Sequence, residues 1–112
     1  MAYSVAISQS ALREYDAAIR YIASEYGSPR VMRELASEFD AAIDVLERSP
    51  LAYPVDWDIS NGVGREIRKI RIMNYLLRYE VNEESGTVQA YSFLHERQDA
   101  SRRFLTDFNA EF

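Results

Sequence analysis

His95 is the lone histidine of this chain, and its ordinary pKa near neutrality suits it to take or to give a proton. Arg97 stands two residues on, so a strand that continues past His95 sets the two on one face. A second group of cations, Arg65, Arg68, Lys69 and Arg71, falls within seven residues, and Arg78 follows it. Guanidinium and ammonium groups gathered in this way suit an anionic ligand, and they stabilise charge where a proton moves. Arg68 and Lys69 are consecutive and point to opposite faces of a strand, so at most one of them serves a given site. A plainer reading stands beside each of these. His95 can be a structural or simply exposed strand-end histidine. Arg68, Lys69 and Arg71 can solvate the open face and edge of a sheet, where cations discourage aggregation. Arg78 can bridge to Glu80 or join the cationic face.

Those cations belong to a chain of 112 residues with a formal net charge of −5. Residues 1–64 hold five cations and ten anions, and residues 65–112 hold eight of each, so the excess negative charge lies in the first half. The acidic balance argues against bulk nucleic-acid binding, which needs Lys and Arg at phosphates. It leaves room for a modest cationic surface in the second half. With no cysteine, disulfides and thiolate metal sites are excluded, and one histidine makes a histidine-based metal site a poor expectation. No cofactor is expected. The first residues lack the charged start and apolar core of a signal peptide, and no apolar run is long enough to span a membrane. A cytoplasmic, soluble domain over residues 1–112 is therefore expected.

The elements that must position the candidate residues follow from periodicity. Tyr3, Val5 and Ile7 alternate on one face of a half-buried strand. Ser8 or Ser10 can cap a helix whose positions Leu12, Tyr15, Ile19, Ile22 and Tyr26 form one stripe, and Gly27 ends it. Ser28-Pro29 starts a second helix that buries Val31, Leu35, Phe39, Ala42, Ile43 and Leu46. Residues 49–64 are expected to be a loop, anchored by Leu51, Tyr53, Val55 and Trp57 inserting into the core. Strands are predicted near 65–72, 75–82 and 87–94, with Met73-Asn74 as a tight turn and residues 82–86 as a hairpin loop. Their short connections require antiparallel pairing. Asp99 can cap a last helix carrying Phe104, Leu105, Phe108 and Phe112. The order is β-α-α-β-β-β-α, an α+β domain with a helical hairpin packed on a small antiparallel sheet.

This order, the run Arg65-Glu66-Ile67-Arg68-Lys69, the stretch from Asn74-Tyr75 to Val81, and the close Phe93-Leu94-His95-Glu96-Arg97-Gln98-Asp99 resemble the RelE/ParE superfamily of toxins from type II toxin–antitoxin modules. The resemblance covers roughly residues 2–105. It implies a toxin that a cognate antitoxin holds inactive in a heteromeric complex, with no membrane partner. Relatives divide into RelE-like members, which cut mRNA on the ribosome through the ribose 2′-hydroxyl, and ParE-like members, which poison DNA gyrase. The fold does not choose between them.

On the RelE-like reading, His95, Arg97, Arg68 and Lys69 are the candidate catalytic residues, and Tyr91 and Phe93 could stack a base or simply fill the core. Departures from the RelE pattern are visible. The catalytic arginine expected after the turn tyrosine would fall at Leu76, with Arg78 as a conjectural substitute, and Arg102, Arg103 and Phe104 stand where some relatives carry a catalytic tyrosine. These departures favour the ParE-like reading or a divergent member. Arg65, Arg71, Arg78, Tyr91, Phe108 and Phe112 are the candidate contacts to antitoxin or target. A third reading is an inactive member that acts only with its antitoxin in autoregulation.

Overall fold

The computed structural model describes residues 2–98. Along the chain come β1 (Ser4–Ile7), α1 (Gln9–Tyr26), α2 (Pro29–Arg48), a 3-10 turn (Pro50–Ala52), α3 (Trp57–Val63), β2 (Arg68–Ile72), β3 (Tyr75–Asn82) and β4 (Thr87–His95). The expected last helix with Asp99, Phe104, Leu105, Phe108 and Phe112 lies outside the described residues.

The strands form one sheet in the order β1-β4-β3-β2. The two hairpins β2–β3 and β3–β4 are antiparallel, as their short turns demand. β1 joins parallel to β4, which the long α1–α2 connection permits, so the sheet is mixed rather than antiparallel throughout. Ser8 ends β1 and starts α1. Its hydroxyl accepts from Ala11 N–H at 3.0 Å and donates to Tyr91 O at 3.1 Å, while its own N–H donates to Ala90 O at 2.9 Å. One side chain thus supplies the helix cap and the link from helix to sheet. Gly27 closes α1 at φ 58°, the left-handed conformation that a side chain resists.

α1 and α2 cover one face of the sheet. Leu35, Phe39, Ala42 and Leu46 of α2 meet Ile70, Ile72, Leu77, Tyr79, Val88, Ala90 and Phe93 in the main core. Removing each large apolar side chain from water stabilises the fold by about 1.5–3 kcal/mol. The stripe of α1 is rotated from the expected one. Ala11, Ala18 and Ile22 are buried, whereas Leu12 is 45 % and Tyr26 66 % exposed. Small alanines let α1 lie close to the sheet, which turns the larger side chains outward.

The opposite face is partly covered by α3, which the sequence reading placed inside a loop. Asp56 caps it by accepting from Ile59 N–H at 3.3 Å, and Gly64 ends it at φ 74°. Ile59 packs with Ile67, Tyr91 and Leu94 in a second, smaller core. The segment is therefore held by Ile59, by partly buried Tyr53 and by a β-bridge of Val55 to Arg68. Trp57 and Leu51, expected to insert, are instead 64 % and 41 % exposed.

β4 carries a bulge. Arg78 faces Ser92 and Tyr79 faces Ala90, so Tyr91 is an extra residue in the ladder. The extra residue shifts the alternation by one. Val88, Ala90 and Phe93 face the helices, while Tyr91 and Leu94 face α3. Unbroken alternation would set Tyr91 and Phe93 on one face; the bulge puts them on opposite ones. Beyond the bulge β4 loses its β1 neighbour, and the Glu14 carboxylate accepts Phe93 N–H at 2.9 Å in its place.

Candidate functional site

Arg68 lies on the helix side of β2, beside Tyr79. Its guanidinium donates to Tyr53 O at 2.6 Å and to Glu66 at 2.8 Å. Tyr79 is fully buried, and its hydroxyl donates to Pro50 O at 2.6 Å. Arg68 and Tyr79 together pin residues 50–53 to the sheet. Lys69 points to the other face, as alternation requires, with its ammonium 3.9 Å from the Asp56 carboxylate.

Arg78 is only 7 % exposed, and its Nε donates to Asp56 Oδ2 at 2.8 Å. It neither bridges to Glu80 nor reaches a cationic surface, because it is buried against Asp56, the residue that caps α3. Burial alone pushes the Asp56 carboxyl up. The Arg78 hydrogen bond, the Ile59 N–H and the charges of Arg78 and Lys69 outweigh burial and hold it below its ordinary value. Arg65 Nε donates to Glu80 Oε2 at 2.8 Å, and Tyr91 donates its hydroxyl to the same carboxylate at 2.9 Å. Tyr91 is 4 % exposed, so it is an internal brace rather than a contact residue. Burial first, then the Glu80 bond and charge, push its phenol up to about 12, against a partial offset from Arg65. Arg71 pairs with Glu96 at 2.9 Å. All five cations between residues 65 and 78 therefore stand beside a carboxylate of the chain itself.

On the helix side, a groove of about 630 Å³ opens between α1 and the β2–β3 turn. Ile22, Val31 and Phe93 form its apolar floor, and Tyr21, Tyr26 and Tyr75 stand around it. Tyr21 and Tyr26 are 56 % and 66 % exposed. Tyr21, Tyr26 and Tyr75 line the same groove, and burial raises the pKa of the Tyr75 hydroxyl, with Tyr21 and then Tyr26 adding to it. The Tyr75 ring stacks on Phe93 (centroids 4.9 Å apart, planes 9° apart) and meets His95 edge-on at 5.5 Å.

His95 and Arg97 both line this groove. The backbone N–H of Arg97 donates to His95 Nδ1 at 3.2 Å, and His95 N–H donates to Gln98 Oε1 at 2.8 Å. The Nδ1 acceptor role leaves Nε2 as the nitrogen for outside contact. Among the described residues the Arg97 guanidinium has no hydrogen-bond or ion-pair partner.

The four candidate catalytic residues are thus not assembled. His95 and Arg97 share the groove. Arg68 lies on the same side but four residues along β2 from Ile72, whose partner Tyr75 pairs with His95, a separation of about 13 Å along the strand alone. Lys69 is on the opposite face. Of the candidate contacts, Arg65 and Arg71 are exposed but paired, Arg78 and Tyr91 are buried, and Phe108 and Phe112 lie outside the described residues. Two features escaped the sequence reading. Asp56 could have been found as a cap placed before α3 with Gly64 after it. Tyr21 had no such signal, since its exposure follows from how closely α1 packs.

Residues 5–100 match the family described as the ParE toxin of the type II toxin–antitoxin system, parDE. Among solved structures, the chain is similar to the RelBE2 toxin–antitoxin complex of Mycobacterium tuberculosis at 20 % identity and a TM-score of 0.56, over 85 % of this chain and 99 % of that one. It is also similar to the archaeal RelE–RelB complex of Pyrococcus horikoshii OT3 at 14 % identity and a TM-score of 0.57, over 88 % of this chain and 100 % of that one. At such identities these likenesses speak to the fold. No curated protein matches the sequence.

Proposed function

The chain belongs to the ParE toxin family of type II toxin–antitoxin systems, and from that premise we propose that it arrests growth by binding a protein target, DNA gyrase in the manner of ParE-like toxins, and not by cutting RNA. The observation that carries this reading is the internal neutralisation of the basic strand. A ribonuclease needs cations turned towards the scissile phosphate. Here Arg65, Arg68, Lys69, Arg71 and Arg78 face Glu80, Glu66, Asp56, Glu96 and Asp56 instead. Leu76 stands where the RelE pattern has its arginine, which supports the same conclusion.

A cognate antitoxin is the second partner in this proposal. Its support is that solved proteins of this fold are toxin–antitoxin complexes, RelBE2 and RelE–RelB. No helix among the described residues is long and apolar enough to cross a membrane, and a cytoplasmic site of action accords with a gyrase target.

The test is supercoiling of relaxed plasmid by purified gyrase with increasing amounts of the purified chain. Inhibition that the antitoxin relieves is the expected result, and full supercoiling at large molar excess would remove the gyrase target. One observation favours a second reading, ribosome-dependent mRNA cleavage, because His95 and Arg97 share a groove. That reading requires cut transcripts and their loss in His95→Ala.

A further inference from the structure

We infer that the sheet face on the α3 side binds one small monovalent anion of halide size, held between the Arg78 guanidinium and the Ser92 hydroxyl.

Arg78 and Ser92 occupy directly paired positions on β3 and β4. Leu77 and Tyr79 pack in the main core with the helices, so Arg78 between them points to the α3 side. Phe93 faces the helices and Leu94 packs with Ile59 of α3, so alternation sets Ser92 on the side of Leu94 and Arg78. The bulge adds Tyr91 to the same side, and bulges re-aim side chains in this way. Opposed side chains on neighbouring strands start about 4.5–5.5 Å apart, a spacing that a ligand of one heavy atom can bridge.

Two donors on that face lack an acceptor. Arg78 is 7 % exposed and Ser92 fully buried, yet Arg78 Nη1 and Ser92 Oγ have no hydrogen-bond partner among the described residues. Such atoms are rare inside proteins, because burial strips their water and returns nothing for it. The side chains of Ile59, Ile67 and Leu94 in the smaller core offer no acceptor. A guanidinium only donates, so whatever faces Nη1 accepts, and a serine hydroxyl can turn its proton to the same acceptor. Neither residue lines the groove beside α1, so this is a separate place in the molecule.

Charge makes the acceptor an anion. Each cation of this face stands beside a carboxylate, but Asp56 serves two of them, so Arg65, Lys69 and Arg78 share only Glu80 and Asp56. One positive charge is left over, and a buried setting strengthens its pull. A monovalent ion cancels it, whereas sulfate or phosphate brings more charge and more oxygens than two donors serve. Asp56 caps α3 and holds Arg78, so an ion on Arg78 links the anchoring of α3 to the anion concentration.

The experiment is thermal unfolding of the full chain in mixtures of sodium chloride and sodium gluconate at one ionic strength, for wild type, Ser92→Ala and Arg97→Ala. The wild-type midpoint should rise with chloride and level off, as binding to the folded state requires, and bromide should act alike. Ser92→Ala removes one donor and should need on the order of tenfold more chloride for the same rise. Arg97→Ala, at an exposed guanidinium, should follow the wild-type curve. A crystal grown in bromide should show an anomalous peak within hydrogen-bond reach of both Arg78 Nη1 and Ser92 Oγ. A wild-type midpoint indifferent to chloride overturns the inference, and so does a rise that Ser92→Ala leaves unshifted. Density between the two atoms without anomalous signal in bromide would be a water and would overturn it as well.

Discussion

Arg78 and Arg97 both lie in the half of the chain that carries its cationic runs, and the fold treats them in opposite ways. Arg78 is 7 % exposed and holds Asp56, the cap of α3, at 2.8 Å. Arg97 is exposed at the rim of an aromatic groove with no described partner. The same contrast separates the two regions around them. The face below α3 is a lattice of matched charges, in which Asp56 caps a helix and serves two cations while Glu80 serves Arg65 and Tyr91. The groove has aromatic surface and, in Arg97, a cation with no partner among the described residues. Positive charge in a sequence therefore marks a ligand site only where the fold leaves it unpaired. In this chain the dense basic run is paired within the fold, whereas the cation at the end of β4 has no partner among the described residues.

Substitutions break that contrast with graded effects. The largest is expected from Asp56→Ala, which leaves Arg78 buried without its carboxylate and costs about 3–5 kcal/mol. Denaturant unfolding reads it, and a loss under about 1 kcal/mol would mean that the buried pair contributes no more than a surface one. Tyr79→Phe removes the donor to Pro50 O in a fully buried setting and should cost about 1–3 kcal/mol, with residues 50–53 showing faster amide exchange than the strands.

Two titrations bracket the same lattice. Tyr91 is held up to about 12 against an ordinary 10.0. The unfolded chain therefore ionises first, and its contribution to stability, intact below pH 10, declines as pH rises towards about 12. Asp56 is shifted the other way. Its contribution is present above its ordinary 3.8 and is lost as pH falls through the lower folded value. Unfolding midpoints across both limbs should lose their Tyr91 part in Tyr91→Phe and their Asp56 part in Asp56→Asn.

The smallest effects sharpen the comparison from the other side. Arg71→Ala breaks an ion pair whose side chains are 58 % and 33 % exposed and should change stability by about 0–1 kcal/mol. It should leave growth arrest as it is. Tyr26→Ala, at a side chain 66 % exposed, should move stability just as little.

Much of the frame was legible in the chain. The strand alternation of Tyr3, Val5 and Ile7, the glycine and proline stops between helices, and the turn at Met73-Asn74 are local signals, and each sits where it was read. The misses share a different cause. The bulge at Tyr91 reversed the facing of Tyr91 relative to Phe93, and a bulge shows in the register of two strands and not in either strand alone. Trp57 looked like an anchor because large aromatics usually are, yet Ile59 and Ile67 fill the space under α3 and leave it outside. The basic run was visible as residues, but the carboxylates that neutralise it come from as far away as Asp56, Glu80 and Glu96. No periodicity brings those together; the topology does.

The most direct test of the account is induced expression of the chain in a bacterial host without its antitoxin, with growth, transcript integrity and plasmid supercoiling followed together for wild type and His95→Ala. The account predicts growth arrest with intact transcripts and altered supercoiling, equally in both. Cut transcripts in the wild type, restored to full length by His95→Ala, would contradict it and make the groove a ribonuclease site.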